Sequence, residues 1–258
     1  MILNFYKYQA AGNDFVIVDD RKLENIYSTE KIKDICNRRT GIGSDGFILL
    51  RNHIKYDFEM VYFNSDGEAS SMCGNGGRCI VHFAHFLKII KLKTIFFAID
   101  GDHSAKLIGN SKVILRMNNI DKISKCKNYL FVDSGSPHHI IENSDIDSID
   151  VNKLGSKIRY SKIYQPMGVN VNFIEKISLD KFKIRTYERG VENETFSCGT
   201  GAVASSIAMH NIGRTDKNKI KIKTLGGDLI VSFKFNGVYS DITLEGSVKQ
   251  VFKGQILI

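Results

Sequence analysis

A chain of 258 residues holds one large domain or two of roughly 100–150 residues, and 43% hydrophobic with 25% charged residues is an ordinary globular composition. The net charge of +8 is spread over lysines that alternate with isoleucine, as in "KNKIKIKTL", which is the pattern of solvated strand faces and excludes a nucleic-acid arm. An odd set of five cysteines excludes a disulfide framework, and no run reaches the roughly 18–20 apolar residues of a membrane span.

The opening "MILNFYKYQA" lacks the basic and apolar regions of a secretion signal, so the cytoplasm is the expected compartment. "GNDFVIVDD" reads as a short strand. "STEKIKDICNRR" reads as a helix with Ser28 as N-cap and Ile32, Ile35 and Cys36 on one face. After "GIGSDGFILL" comes "VYFNSDGEASSMCGNG", and Cys73 then opens Cys-Gly-x-Gly and the helical pattern "RCIVHFAHFLKII". Alternating strands such as "KLIGNSKVILRM" close the first half, with a boundary expected within 117–130.

The second half repeats the order. "SPHHIIEN" is strand-like, and "DVNKLGSKIRY" is a helix with Val151, Leu154 and Ile158 on its apolar face. "GVNVNFIE" and "TYERGVENETFSCGTG" follow. Tyr62 and Tyr187 each stand eleven positions before a cysteine, Cys73 or Cys198, and Phe47 and Phe173 stand 26 and 25 positions before the same cysteines. Cys198 opens a second Cys-Gly-x-Gly and the helix "AVASSIAMHNIG", ending in a glycine suited to a C-cap. "LIVSFKFNGVYSDITLEG" is a hairpin turning at Asn236-Gly237. Many short strands with one principal helix per half predict an α+β fold of two pseudo-symmetric lobes. Each would be a curled, mostly antiparallel, barrel-like sheet around its helix, with an active site in the cleft between. The lobes are expected at 1–117, completed by the strand 248–258, and at 118–247.

A cysteine at the start of a helix sits at the positive end of the macrodipole, which lowers a thiol pKa. The following glycines open the backbone N–H groups to a carboxylate. Two such thiols, one ionised and one protonated, suit removal of a proton from one face of a carbon and its return to the other. That is racemisation or epimerisation beside a carboxylate. It demands no cofactor and no metal, and no phosphate loop or dinucleotide fingerprint is present. Cys36, Cys79 and Cys126 are expected to be packing residues. A thiol-based redox or metal-binding protein is the competitor from another class.

"GNDF", "GIGSDG", "FNSDG", "CGNGGRC", "SPHH", "GVNV", "YERG" and "ETFSCGTGA", in this order along the chain, resemble the diaminopimelate epimerase family, cofactor-independent enzymes of lysine and peptidoglycan precursor synthesis. The resemblance implies Cys73 and Cys198 as the catalytic pair. It implies Asn13, Asn64, Asn170, Glu188 and Arg189 as substrate-binding side chains, and the backbones of Gly74, Asn75, Gly199 and Thr200 as holders of the reacting carboxylate. Gly46, Ser136 and His138 match substrate-lining or pKa-tuning positions. Many family members have Gln at the place of Gly46, Asn at that of Ser136 and Gly at that of Asn193. The resemblance further implies a small-molecule substrate, neither nucleic acid nor membrane as partner, and a homodimer. The alternative within the same chemistry is a proline- or hydroxyproline-racemase-like enzyme.

Overall fold

In the computed structural model, residues 2–23 and 27–257 are described. The chain divides into two compact units. One runs to Leu115 and takes back the residues from Gly246 on; the other is Arg116–Glu245.

The first unit contains β1 (Ile2–Ala10), β2 (Asn13–Asp19), α1 (Thr29–Cys36), β3 (Gly46–Arg51), β4 (Glu59–Asn64), α2 (Gly74–Phe86), β5 (Lys93–Ala98), β6 (Gly101–Ile108) and β7 (Lys112–Arg116), with the last strand β17 (Lys249–Leu257). β1 pairs antiparallel with both β17 and β2, β2 runs parallel to β3, and β3 is antiparallel to β4. α2 packs against β1, β2, β3, β4 and β6. It is buried without a break from Gly74 to Val81, as a helix enclosed by its sheet must be. The opposite sheet face is covered by α1, whose Ile32, Ile35 and Cys36 join Val16, Val18, Phe47 and Leu49 in one cluster. Ser28 caps α1 by accepting the Lys31 N–H.

The second unit contains β8 (Ile123–Lys125), β9 (Leu130–Asp133), β10 (Pro137–Glu142), α3 (Val151–Arg159), β11 (Asn170–Lys176), β12 (Lys181–Glu188), β13 (Asn193–Thr195), α4 (Gly199–Asn211), β14 (Lys219–Thr224), β15 (Gly227–Phe235) and β16 (Tyr239–Ser247). β10 runs parallel to β11 and β11 antiparallel to β12, the same arrangement as β2, β3 and β4. α4 packs against β9, β10, β11, β14 and β15, and α3 against β11, β12 and β13. Small residues (Ala202, Ala204, Ser205, Ser206, Ala208) make α4 narrow enough to be buried on all sides. Gly213, at φ +73, follows its C-terminus as the sequence predicts. The fold class is α+β, with each sheet wrapped on its central helix rather than closed as a barrel.

Two details depart from the sequence reading. Leu154 is 42% exposed, and Gly155 faces the core in its place: a Cβ there would lie 2.4 Å from Tyr187 Cβ, so only glycine lets α3 settle on β12. The tyrosine spacing also marks no equivalence. Tyr62 faces α2's side of the sheet, its ring 6.1 Å from that of Phe15, whereas Tyr187 packs in the α3 cluster. Strand register gives the true correspondence. Phe15 pairs with Gly46 and Gly46 with Asn64. His138 pairs with Asn170, which precedes the Val171–Tyr187 pair and so stands at the level of Glu188. Thus Asn64 corresponds to Glu188, Gly46 to Asn170, Asn13 to Ser136, and Phe63 to Tyr187. The segment from Glu188 to Cys198 is one residue longer than that from Asn64 to Cys73, which shifted the apparent repeat.

Candidate active site

Each central helix is headed by a cysteine in extended conformation. Cys73 is the N-cap of α2, at φ −83 and ψ 130. Cys198 is the N-cap of α4, at φ −119 and ψ 115. Helix geometry leaves the N–H groups of the first turn, at Gly74-Asn75 and at Gly199-Thr200, without intrahelical acceptors, and the helix dipole adds partial positive charge there. Both segments are therefore shaped to receive an anion.

In the first unit Cys73 Sγ lies 3.7 Å from Asn13 Oδ1, which also receives Asn75 Nδ2 at 3.3 Å. Asn13 Nδ2 donates to Asp45 Oδ2 at 2.7 Å. Beneath it, Asp14 is bound by Lys7 and Arg38, and Arg38 also reaches Asp45 at 2.8 Å. Burial raises the Asp14 pKa, but the hydrogen bonds from Arg38 and Lys7 outweigh it and hold the carboxyl at about 2. Lys7 additionally donates to the Gly43 carbonyl. Arg78, one turn into α2, is completely buried. It donates to Gly74 O at 3.0 Å and to Asn75 Oδ1 at 2.5 Å, while its Nε has no hydrogen-bond partner. Cys79 is fully buried and its thiol pKa is pushed up by burial, so it packs as a neutral side chain. Asn64 sits at the end of β4, where its backbone closes the turn with Glu68 and Gly67.

Gly46 opens β3 with Tyr62 over it: a Cβ would lie 2.6 Å from the tyrosine ring and 2.9 Å from Phe63 O. The space a longer side chain would need at this position is therefore occupied by Tyr62. This compensating residue was not visible from the motif alone.

In the second unit Cys198 Sγ accepts the Gly201 N–H at 3.4 Å and lies 3.4 Å from Thr200 Oγ1. Ser134, buried and overlooked in the sequence, donates to Thr200 O at 2.9 Å and so anchors the start of α4 to the turn after β9. Ser136, in that same turn, is half-buried and accepts the Ser134 N–H through its carbonyl. Asn172 was overlooked as well. Its Nδ2 donates to His138 Nδ1 at 3.0 Å and to His139 O at 3.3 Å, and its Oδ1 accepts from Thr186 Oγ1 at 3.0 Å. That network makes Nδ1 of His138 an acceptor and leaves the ring proton on Nε2. Burial drives the His138 pKa down to about 3; the Asn172 contact opposes this and the charge of Arg189 adds to it. His138 is thus a neutral, fully buried imidazole whose Nε2 has no partner.

Asn170, 4% exposed, accepts the Arg189 N–H at 2.8 Å and fixes the turn that follows β12. Glu188 accepts from Thr195 Oγ1 at 3.0 Å, and one Arg189 nitrogen reaches Met167 O at 3.1 Å. Asn172 could have been suspected from sequence only as a polar residue inside an apolar strand, a weak signal, and Ser134, in a turn rich in Ser and Gly, offered none. Arg78 carried a stronger one, a charge amid the apolar residues of a helix. Among the described residues, no group of three or more His, Cys, Asp or Glu is placed to hold a metal ion, and no helix is long and apolar enough to cross a membrane.

Residues 5–115 and 130–249 match the model of the family described as diaminopimelate epimerase. The chain belongs to the diaminopimelate epimerase family. A diaminopimelate epimerase of Flavobacterium psychrophilum is 48% identical over 256 residues, covering 98% of this chain and 100% of the relative. The Aquifex aeolicus diaminopimelate epimerase is 36% identical, covering 98% of each. Two solved structures share the fold. A phenazine biosynthesis protein of the PhzF family from Bacillus anthracis aligns over all of both chains with a TM-score of 0.80 at 13% identity. A hydroxyproline epimerase from Agrobacterium vitis, with bound trans-4-hydroxy-L-proline, covers 99% of this chain and 92% of its own, with a TM-score of 0.74 at 13% identity. Family membership thus rests on sequence, while the structural likenesses concern architecture alone.

Proposed function

We propose that this member of the family interconverts LL- and meso-2,6-diaminopimelate by a two-base mechanism, with Cys73 and Cys198 as base and acid. The observation that carries the reading is the pair of helix-capping cysteines, each heading a Cys-Gly-x-Gly turn. One thiolate takes the α-proton, the electron pair passes into the substrate's α-carboxylate, and the other thiol returns a proton to the opposite face. The enzyme ends with the two sulfurs' roles exchanged, and no net proton is consumed. The backbones of Gly74, Asn75, Gly199 and Thr200 stabilise the charge that builds on the carboxylate. Asn13, Asn64, Asn170, Glu188 and Arg189 read the substrate's amino-acid groups, with Arg189 as a forked carboxylate ligand. Gly46, Ser136 and His138 line the site, and the neutral imidazole of His138 supplies a hydrogen-bond donor. Closure over the substrate excludes water and strengthens these charge interactions. The chemistry asks nothing of a cofactor, and we place the enzyme in the cytoplasm as a homodimer.

The alternative, a proline or hydroxyproline racemase, draws support from the architecture shared with the hydroxyproline epimerase. At 13% identity that likeness does not extend to substrate. Incubation with LL-diaminopimelate, L-proline and trans-4-hydroxy-L-proline, followed by chiral chromatography, tests the reading. Inversion of diaminopimelate alone is expected; inversion of proline or its hydroxylated form without diaminopimelate would overturn it.

A further inference from the structure

Two contacts of the cysteines, Cys73 with Asn13 and Cys198 with Gly201, run in opposite hydrogen-bond directions. In the first unit the Asn13 carboxamide has a fixed orientation. Its neighbour Asp45 is a carboxylate and can only accept, so Asn13 Nδ2, at 2.7 Å, must point to it. Asn13 Oδ1 then faces Cys73 Sγ at 3.7 Å and Asn75 Nδ2 at 3.3 Å. An amide oxygen cannot donate, so Cys73 makes this contact as a thiol and loses it on ionisation. Asp45 is itself held by Arg38 and by the Asp14 N–H. In the second unit the Gly201 N–H donates to Cys198 Sγ and can only favour a negative sulfur, while the Thr200 hydroxyl at 3.4 Å can turn to donate to a thiolate as readily as it accepts from a thiol. A Cβ at Gly201 would lie 2.5 Å from Asn172 Oδ1, so glycine is what admits this approach. By strand register the counterpart of Asp45 is Val169, which is buried and apolar.

Resting on the reading of Cys73 and Cys198 as the proton-transfer pair, we infer that Asp45 is a positioning residue. It turns the Asn13 oxygen toward Cys73, so that in the resting enzyme Cys73 is the protonated partner and Cys198 the thiolate. The ionisable groups around Cys73 are Arg78 and Cys79 on α2, Lys7 and Asp14 on β1 and β2, Arg38 and Asp45 after α1, and Asp100, which accepts the Met72 N–H. Those in the Cys198 unit include His138 and His139, both neutral, Arg189, and Glu188, which accepts from Thr195 Oγ1 and whose charge opposes a thiolate. Arg78 acts against the inference, because a buried cation favours a thiolate at Cys73. Its directed bonds, however, go to Gly74 O and Asn75 Oδ1.

The test is the pH dependence of iodoacetamide alkylation on the full chain, read separately at Cys73 and Cys198 by peptide mapping. The midpoint reports ionisation independently of how exposed each thiol is. The midpoint for Cys198 is expected at least about one pH unit below that for Cys73, a tenfold difference in ionisation constant. Asp45→Ala releases the Asn13 amide and should narrow the gap several-fold, whereas Asp45→Asn keeps an acceptor for Asn13 Nδ2 and should preserve it. Equal midpoints or a lower one for Cys73 in the unsubstituted protein would overturn the inference, as would an unchanged gap in Asp45→Ala. No substrate enters this experiment. Failure to invert diaminopimelate would therefore fall on the proposed function, while the order of ionisation would stand or fall by itself.

Discussion

The heads of α2 and α4 have the same Cys-Gly-x-Gly sequence and opposite surroundings. Five residues after Cys73 stands Arg78, fully buried and bonded to the first turn of its own helix. Five residues after Cys198 stands Val203, equally buried and apolar. Beneath Cys73 runs a charged network of Asp45, Arg38, Asp14 and Lys7. Beneath Cys198 lies a neutral one, in which Asn172 joins His138, His139 and Thr186. The two halves share a thiol at a helix start, and the residues that support it have diverged; on the inference drawn above, the two sulfurs then differ in proton affinity.

The largest effects should come from breaking the shared part. On the proposed mechanism Cys73→Ala and Cys198→Ala each remove one of the two proton carriers, and turnover in either direction should fall by at least about a thousandfold. Epimerisation followed by chiral chromatography checks this, and Cys36→Ala, at a buried thiol of the α1 face, should leave the rate nearly intact.

Breaking the difference comes next. Arg78→Met removes the side-chain hydrogen bonds to Gly74 O and Asn75 Oδ1 and should cost about 3 kcal/mol of stability, with KM raised about tenfold by loss of the buried positive charge beside the first turn of α2. Val203→Ala removes only two methyl groups and should cost about 1–2 kcal/mol, with KM unchanged. Denaturant unfolding and steady-state kinetics read both. Equal effects on KM would mean that Arg78 is merely structural.

Acid should separate the two networks. His138 and His139 have folded pKa values lowered by burial to about 3 and about 4. A lowered folded value means that the unfolded chain binds the proton more readily, so their contribution is complete above about pH 6.5 and is lost as pH falls toward the folded values. Between pH 7 and pH 5 each should cost about 2 kcal/mol. Asp14, lowered to about 2, contributes above its unfolded value near 4 and weakens only as pH falls toward 2. The second unit should therefore loosen first, near pH 5, and the first unit only below pH 4. Hydrogen exchange followed by mass spectrometry distinguishes the order. A smaller effect sharpens the Gly46 and Asn170 correspondence: Gly46→Ala presses on Tyr62 and on the Phe63 carbonyl and should cost about 1–3 kcal/mol, of which Tyr62→Val recovers only the side-chain part.

The sequence disclosed most of this architecture because periodicity and capping are local. The Ser28 cap, the two cysteine-headed helices, the Asn236-Gly237 turn and the repeated strand order are all visible in short windows. Asn13, Asn75 and Cys73, which the motifs single out, lie in contact with one another. What escaped depends on register and on three-dimensional packing. Tyr62 and Tyr187 share a spacing but lie on opposite sheet faces, because one added residue before Cys198 changes which strand residue each spacing counts from. Gly155 replaces Leu154 at the core because Tyr187 comes too close for any side chain. Ser134 ties the head of α4 to the turn after β9 through Thr200, and Asn172 joins β10 to β12 through His138 and Thr186, bonds that no linear spacing records.

The two-base claim is tested most directly by one early-turnover measurement in D2O with LL-diaminopimelate. If two different thiols act, one removing the proton and the other returning a solvent-derived deuteron, the first meso product should carry deuterium at the inverted carbon while unreacted LL substrate still carries hydrogen. Product that retains the substrate's own hydrogen, or a complete lack of exchange, would contradict the account.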